Sequence, residues 1–303
     1  MHEIIKMFRD EFPYIDREEK TILEILKNKN NHLIEKRDNS NNLIAVSLVN
    51  KNAILFFCVD KKYRNNGIGS ELLKESENFI KNEGFSNVVV GVGFSYIMPG
   101  VPTSKKYYDS VNECLAKEVN DKASTFFERR GYTHSWDCNC FDMKMKLSDF
   151  KFKCTINDTI NNVKYRWATK EDLNKIVDCA DDACQYQDEK FSKYYKNDKL
   201  YLKTSNQKVL VAEKEGDIVG CIIVSNQVET KGLGNVGCTC VRFSETHQGI
   251  GSNLVMFGTR YLCDIGLEKA SLGYTYSGLD KMYGNAGYKI SCYYMMATKN
   301  LDR

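Results

Sequence analysis

What the sequence lacks narrows the field first. No window approaches the roughly 18 apolar residues of a membrane span. The start Met1-His2-Glu3-Ile4-Ile5-Lys6 puts charges where a signal peptide needs an apolar core. The expectation is a cytoplasmic protein with no membrane partner. Charge of one sign is also lacking, since 43 Lys and Arg against 40 Asp and Glu leave +3, too little for dedicated nucleic-acid binding. The four histidines, His2, His32, His134 and His247, have no partner at readable spacing, so a Ser/His/Asp or Cys/His hydrolase has no support. The twelve cysteines include no C-x-x-C pair. Cys58, Cys221, Cys240 and Cys292 lie in apolar runs that read as strands, which makes them reduced core thiols. His134, Cys138 and Cys140 match no standard zinc knuckle and lack a second ligand pair, so no metal is expected.

What is present is an ordinary globular composition, 42% hydrophobic, 27% charged and 12% aromatic, over 303 residues. That length predicts two domains or one large one. An internal repeat decides between them. Gly67-Ile68-Gly69-Ser70 superposes on Gly249-Ile250-Gly251-Ser252 at an offset of 182. The same offset brings Cys58-Val59 onto Cys240-Val241, Leu72 onto Leu254, Gly84 onto Gly266 and Gly91 onto Gly273 without a gap. In each half an apolar run reads as a buried strand, a glycine loop follows, and then a helical period. Leu72, Leu73, Phe79 and Ile80 share one helix face, repeated by Leu254, Val255, Tyr261 and Leu262. Gly84 and Gly266 then stop the helices before a new strand. From Gly69 to Phe127 is 58 residues, but from Gly251 to its counterpart Tyr283 only 32, so the first half carries an insert of 26 within 94–119. The insert begins at Pro99-Gly100-Val101-Pro102, an extended turn holding two of the chain's three prolines. A polar stretch puts the boundary near 157–162, predicting domains 1–160 and 161–303 of α/β class with a mixed sheet in each.

A glycine turn between strand and helix lets successive backbone N–H groups converge on one point, where the helix start adds partial positive charge. That is a pyrophosphate cradle. The dinucleotide fingerprint does not fit, for no third glycine follows at its spacing, and no Gly-Lys-Ser/Thr ends either loop as a Walker sequence requires. Arg64-Asn65-Asn66-Gly67-Ile68-Gly69 resembles the R/Q-x-x-G-x-G/A acetyl-CoA loop of the GNAT N-acetyltransferases. Asn120-Asp121-Lys122-Ala123-Ser124-Thr125-Phe126-Phe127-Glu128-Arg129-Arg130-Gly131-Tyr132 is similar to that family's N-x-x-A-x-x-x-Y-x-x-x-G-F/Y segment. The second half matches with Thr246-His247-Gln248-Gly249-Ile250-Gly251 and with residues 283–288. The resemblance covers both halves and implies two tandem GNAT-like acyl-CoA N-acyltransferase domains with acetyl-CoA as cosubstrate. It assigns acetyl-CoA binding to Arg64, Asn65, Asn66, Gly67, Ile68, Gly69, Ser70 and Asn120 in the first half. In the second half it assigns Gln248, Gly249, Ile250, Gly251 and Ser252, and near Val59 and Val241 it implies a backbone donor for the oxyanion.

The departures are unequal. In the first half the loop is complete, but Phe127 replaces the tyrosine. In the second half Tyr283 is present, while Thr246 replaces the loop's Arg/Gln and Tyr276 stands at the asparagine position. Transfer by direct attack needs a neutral amine, an oxyanion donor and a proton for the leaving thiolate. A phenol can give that proton and a phenylalanine cannot, which makes Tyr283 the expected general acid and the second half the catalytic one. Two alternatives stay open: a noncatalytic acyl-CoA-binding or regulatory protein, and catalysis in the first half through another acid. No general base stands out; Glu213, Glu229 and Glu245 sit near strand ends, where such charges are commonly solvated. Asp181-Asp182 and Asp188-Glu189 flank Tyr186, Phe191, Tyr194 and Tyr195, a setting that suits a cationic amine as well as an exposed amphipathic helix. The expected acceptor is a small-molecule amine, with a protein N-terminus as the other option. The oligomeric state has no signature.

Overall fold

The structure is a computed structural model that describes residues 1–91, 97–108, 119–185, 190–202, 204–227, 230 and 232–302. The chain divides into two compact units. Unit 1 comprises Met1–Phe141 and Ser291–Arg303, and unit 2 comprises Asp142–Ile290.

Unit 1 opens with helices α1 (His2–Glu11) and α2 (Glu19–Lys27). Strands β1 (His32–Arg37), β2 (Leu43–Asn50) and β3 (Ala53–Val59) follow as an antiparallel meander. Helix α3 (Ile68–Asn82) carries the chain to β4 (Asn87–Val90), which lies parallel to β3. The short β5 (Val101–Thr103), helix α4 (Lys122–Glu128) and β6 (Thr133–His134) complete the first run. The residues of β2 are buried from Leu43 to Val49, as a strand covered on both faces requires. Leu73 and Ile80 of α3 pack with Val49, Ile54, Val88 and Phe127 in one core, as the helical period predicts.

Unit 2 repeats the plan. After β7 (Cys140–Lys146) come β8 (Thr159–Ile160), β9 (Val163–Trp167), α5 (Leu173–Ala183) and α6 (Ser192–Tyr195). Then β10 (Gln207–Lys214), β11 (Asp217–Asn226) and β12 (Leu233–Val241) form an antiparallel meander. Helix α7 (Ile250–Asp264) leads to β13 (Lys269–Tyr276), parallel to β12, and helix α8 (Asp280–Gly284) precedes β14 (Lys289–Met295) and β15 (Ala297–Asn300). The strand order in unit 2 is β8-β9-β10-β11-β12-β13-β7. The 182 offset is exact in the backbone. It carries α3 onto α7 at both ends, places the left-handed Asn65 (φ 67°) and Gly67 (φ 84°) on His247 (φ 63°) and Gly249 (φ 80°), and maps Gly84 onto Gly266.

The compact units do not follow the 1–160 and 161–303 halves of the repeat. Strand β15 pairs with β4 and β6, which puts the C-terminal residues in unit 1, whereas β7 counts with unit 2 from Asp142 onward. Each half of the repeat thus gives its final strand to the other unit. Of the segment 94–119, residues 97–108 and 119 are described: β5 pairs with residues 293–295, and Tyr107 stacks on His134 at 4.2 Å. The His134 ring is fully used. Its Nε2 meets the Cys138 carbonyl at 3.0 Å and its Nδ1 accepts the Met296 N–H at 3.0 Å. All eleven described cysteines are free thiols. Among the described residues no helix is long and apolar enough to cross a membrane, and no cluster of side chains suits a metal ion.

One ion pair ties the start of α5 to the sheet of unit 2. The Arg166 fork donates to both Asp172 oxygens at 2.7 and 2.9 Å and to Glu213 at 2.5 Å. Asp172 also closes a capping box with Thr169. The Arg166 hydrogen bonds hold the Asp172 carboxyl below its ordinary pKa, against the desolvation that raises it. A carboxyl depressed on folding contributes stability above its unfolded pKa, and that contribution is lost as pH falls through the folded one. Asp172→Asn is therefore expected to destabilise the protein by about 1–3 kcal/mol near neutral pH. The gap to wild type should close below about pH 4; urea titrations across that range measure both.

Candidate functional site

In each unit the glycine loop sits where a strand hands over to a helix. After β3, Lys61–Tyr63 make one 3-10 turn, and the chain passes through Asn65 and Gly67 in the left-handed region before α3 begins. The first N–H groups of a helix have no α-helical partner; at α3 the Ser70 N–H closes back on the Gly67 carbonyl at 2.9 Å. A Cβ on Gly67 would meet nothing, but φ +84° forbids most side chains; one on Gly69 would press on Phe126 at 3.3 Å. In unit 2 the loop after β12 has the same form, and a Cβ on Gly251 would come within 2.7 Å of the Met282 sulfur. Val59, Arg64, Asn65, Asn66, Gly67, Ile68, Gly69 and Ser70 thus lie along one strand–loop–helix junction. Val241, Gln248, Gly249, Ile250, Gly251 and Ser252 lie along the other. Asn120 lies exposed ahead of α4, its side chain accepting the Lys122 N–H at 3.0 Å.

Arg64 and Thr246 do related work by different bonds. The Arg64 guanidinium turns back to the Val59 carbonyl at 2.9 Å and pairs with Glu11 of α1. Thr246 closes its own turn on the Phe243 carbonyl at 2.8 Å, while Arg242 reaches the Ile218 carbonyl at 2.9 Å. Neither loop therefore spends the Arg/Gln position on the cradle itself. Unit 1 keeps a cation there by another route: Arg130 lies 3.7 Å over the Phe126 ring and donates to Ser70 at 2.6 Å. In unit 2 Ser252 receives only the Asn285 amide, at 3.3 Å.

The units part company one step upstream. Between the pairs Gly237↔Ile223 and Cys240↔Cys221, β12 places two residues, Cys238 and Thr239, opposite one on β11. This is a β-bulge, and Cys238 takes φ 52° in it. Pairing of β12 with β13 runs only from Leu233↔Lys269 to Asn235↔Ser271; beyond it the parallel strands separate, leaving the bulge on an unpaired edge. Tyr283 reaches this place from α8. It is 4% exposed, its hydroxyl 3.2 Å from Thr239 Oγ1 and its ring edge-on to Tyr288 at 6.2 Å. Burial pushes the Tyr283 phenol up, with the Thr239 hydroxyl pulling partly back, so the phenol keeps its proton near neutral pH. In unit 1 the positions 182 residues earlier, Phe56 and Phe57, pair with Leu48 and Ser47, and β3 has its own extra residue just before them, Leu55, between the pairs Phe56↔Leu48 and Ile54↔Val49. Phe127 meets Phe57 edge-on at 5.5 Å, and both belong to the hydrophobic core. Next to the irregularity in the strand stands a hydroxyl pair in unit 2 and an aromatic pair in unit 1.

Of the carboxylates weighed as a base, Glu213 is held by Arg166, Glu245 pairs with Lys214 at 2.9 Å, and Glu229 lies outside the described residues, as do Tyr186, Asp188 and Glu189. Sequence reasoning missed Thr239 and the bulge. Its one available signal was the paired change from Thr239 and Tyr283 to Phe57 and Phe127.

A meander, a glycine loop before a helix and a parallel strand beside the meander's last strand, each occurring twice, can be set beside known folds. The structure of the "GCN5-related glucosamine N-acetyltransferase region" of a fungal multi-domain GH3 beta-N-acetylglucosaminidase superposes over 98% of this chain with TM-score 0.73 at 16% identity. A GCN5-related N-acetyltransferase from Sphaerobacter thermophilus superposes over 99% of this chain and 92% of its own, with TM-score 0.69 at 15% identity. This is a tandem GNAT fold. A tandem GNAT protein from the clavulanic acid biosynthesis pathway matches 90% of this chain and 84% of its own, with TM-score 0.63 at 10% identity. Residues 1–95 match the acetyltransferase (GNAT) family model, and residues 102–236 match the model of the cilia- and flagella-associated protein 61 N-terminal domain. No curated protein sequence matches. The chain spans 36% of the length of the fungal protein.

Proposed function

We propose that the protein is an acetyl-CoA-dependent N-acetyltransferase whose chemistry runs in unit 2. The observation that carries this reading is the bulge at Cys238 and Thr239 with the Tyr283 hydroxyl beside it. A bulge turns backbone N–H groups out of the ladder, where they can serve a developing oxyanion. A buried phenol a few ångströms away can supply the proton a leaving thiolate needs. The cradle around Gly249 and Gly251 fits the pyrophosphate of acetyl-CoA, since glycine there opens the approach and the start of α7 supplies the N–H donors. Unit 1 keeps a cradle, with Arg130 on Ser70, and an extra strand residue at Leu55, but Phe127 stands where the phenol would be. It is assigned CoA binding without turnover.

The test is release of free CoA thiol from acetyl-CoA over a panel of aliphatic and aromatic amines, with acetyl-CoA binding followed by calorimetry. Turnover on at least one amine is the expected result. Binding with no turnover on any amine would instead establish a noncatalytic acyl-CoA-binding protein, the reading that Phe127 and Thr246 favour.

A further inference from the structure

One carboxylate of unit 2, itself only partly buried, has an oxygen shut off from solvent without a donor. Asp181 stands in the last turn of α5, and its Oδ1 is closed off from solvent with no hydrogen-bond partner. The next residue, Asp182, accepts the Phe243 N–H at 2.6 Å. That bond fastens this end of α5 two residues beyond Val241. Asp181 also acts electrostatically on the Cys240 thiol, so its carboxylate stands near the end of β12 that follows the bulge. The local charge is already negative. The last carbonyls of α5 add partial negative charge, and Lys190, which could offset it, donates to the Cys184 carbonyl at 2.9 Å. The other titratable groups packed here are Cys179 and Cys184 on α5 and at its end, Cys221 of β11, Cys238 and Cys240 of β12, and Tyr195 of α6. Burial pushes Cys221 and Tyr195 up, so they stay neutral, while hydrogen bonds from Cys184 and Cys221 hold Cys240 down. A desolvated carboxylate oxygen without a donor is costly, and among the described residues none supplies the missing donor.

We infer that the donor is the acceptor substrate: Asp181 anchors the ammonium group of an aliphatic primary amine at the end of β12 and takes its proton. This rests on the acetyltransferase reading and narrows its acceptor class to amines that are cationic near neutral pH. The ammonium gives one proton to the Asp181 carboxylate, and the neutral nitrogen attacks the thioester carbon. The C–N bond forms, the C–S bond breaks, and the departing sulfur takes the Tyr283 proton. The second nitrogen proton returns to the phenolate through solvent, and Asp181 later releases its own, so that one proton leaves per amide formed.

The experiment uses the full chain saturated with CoA, with benzylamine as the cationic probe and aniline, uncharged near neutral pH, as the control. Calorimetry is expected to show benzylamine binding that falls at least tenfold in Asp181→Asn, while acetyl-CoA affinity and melting temperature hold. Benzylamine acetylation should fall by about 10²-fold in Asp181→Asn and recover in part as pH rises and free amine replaces ammonium, with Asp181→Glu restoring it in part at every pH. A Cys240→Ser variant is expected to keep the wild-type pH profile, which excludes that thiol as the source of the Asp181→Asn effect. An Asp181→Asn protein with unchanged benzylamine affinity and turnover overturns the inference, and so does one whose loss is matched by a loss of acetyl-CoA affinity or melting temperature. A wild type that acetylates aniline but not benzylamine overturns it while leaving the acetyltransferase reading intact; one that binds acetyl-CoA and acetylates neither, nor any amine of the wider panel, overturns both.

Discussion

Tyr283→Phe is expected to lower kcat for amine acetylation by about 10²–10³-fold while leaving the KM for acetyl-CoA within about twofold. The substitution removes one oxygen atom, and unit 1 shows what a phenylalanine does at this position. Phe127 sits 4% exposed among Phe57, Phe126 and Tyr132, with ring centroids 5.1–5.5 Å away. The fold therefore accepts the ring without the hydroxyl. What is lost in unit 2 is the contact with Thr239, a net contribution of about 1 kcal/mol to stability, and the proton for the thiolate. Because that proton is needed only as the C–S bond breaks, its loss belongs to kcat and not to binding of acetyl-CoA. Steady-state kinetics with a thermal melt separate the two. A Tyr283→Phe protein that keeps full activity would remove the general acid from this assignment and leave the bulge as the site's only catalytic feature.

The repeat was legible because glycine and apolar periodicity are local signals. Gly67 and Gly249 are written into the chain by left-handed φ angles that other residues resist, and the helix faces of α3 and α7 follow from spacing alone. For that reason the offset of 182 carried over to the backbone without adjustment. The exchange of final strands was not legible. Residues 140–146 and 297–300 read as strands wherever they pair, and which sheet receives them depends on partners far away in sequence. The bulge was hidden for a related reason: Cys238-Thr239-Cys240 has the composition of a regular strand, and only pairing with β11 shows that one residue is extra. At the level of single side chains, sequence pattern distinguished Tyr283 from Phe127 but could not tell that Glu213 and Glu245 are held in ion pairs, while Asp181 has an oxygen without one.

Gly249→Glu is expected to lower kcat/KM for acetyl-CoA by at least about 10²-fold, and Gly67→Glu to leave it within about twofold. Both glycines lie in open space, with φ of +80° and +84° and nothing within 4 Å of a built Cβ, so the two substitutions impose the same backbone strain of about 1–2 kcal/mol. Each also puts a carboxylate beside the helix start where a pyrophosphate is to sit. At about 4 Å and an effective dielectric between bulk water and the protein surface, each added like-charge pair costs about 1–4 kcal/mol, and a pyrophosphate presents more than one such charge. The paired design separates the units because strain and charge are matched and only the neighbouring chemistry differs. Gly249→Asn controls for strain: asparagine tolerates the left-handed region, as Asn65 at φ 67° does two residues before Gly67, and it brings no charge, so it should keep most activity. If Gly67→Glu were the variant that stopped turnover, catalysis would lie in unit 1, where Phe127 offers no phenol, and the acid would have to come from elsewhere than Tyr283. If Gly249→Glu alone stops it, calorimetry on that same protein reports the affinity of the unit 1 cradle, where Arg130 on Ser70 is expected to hold CoA that is never turned over.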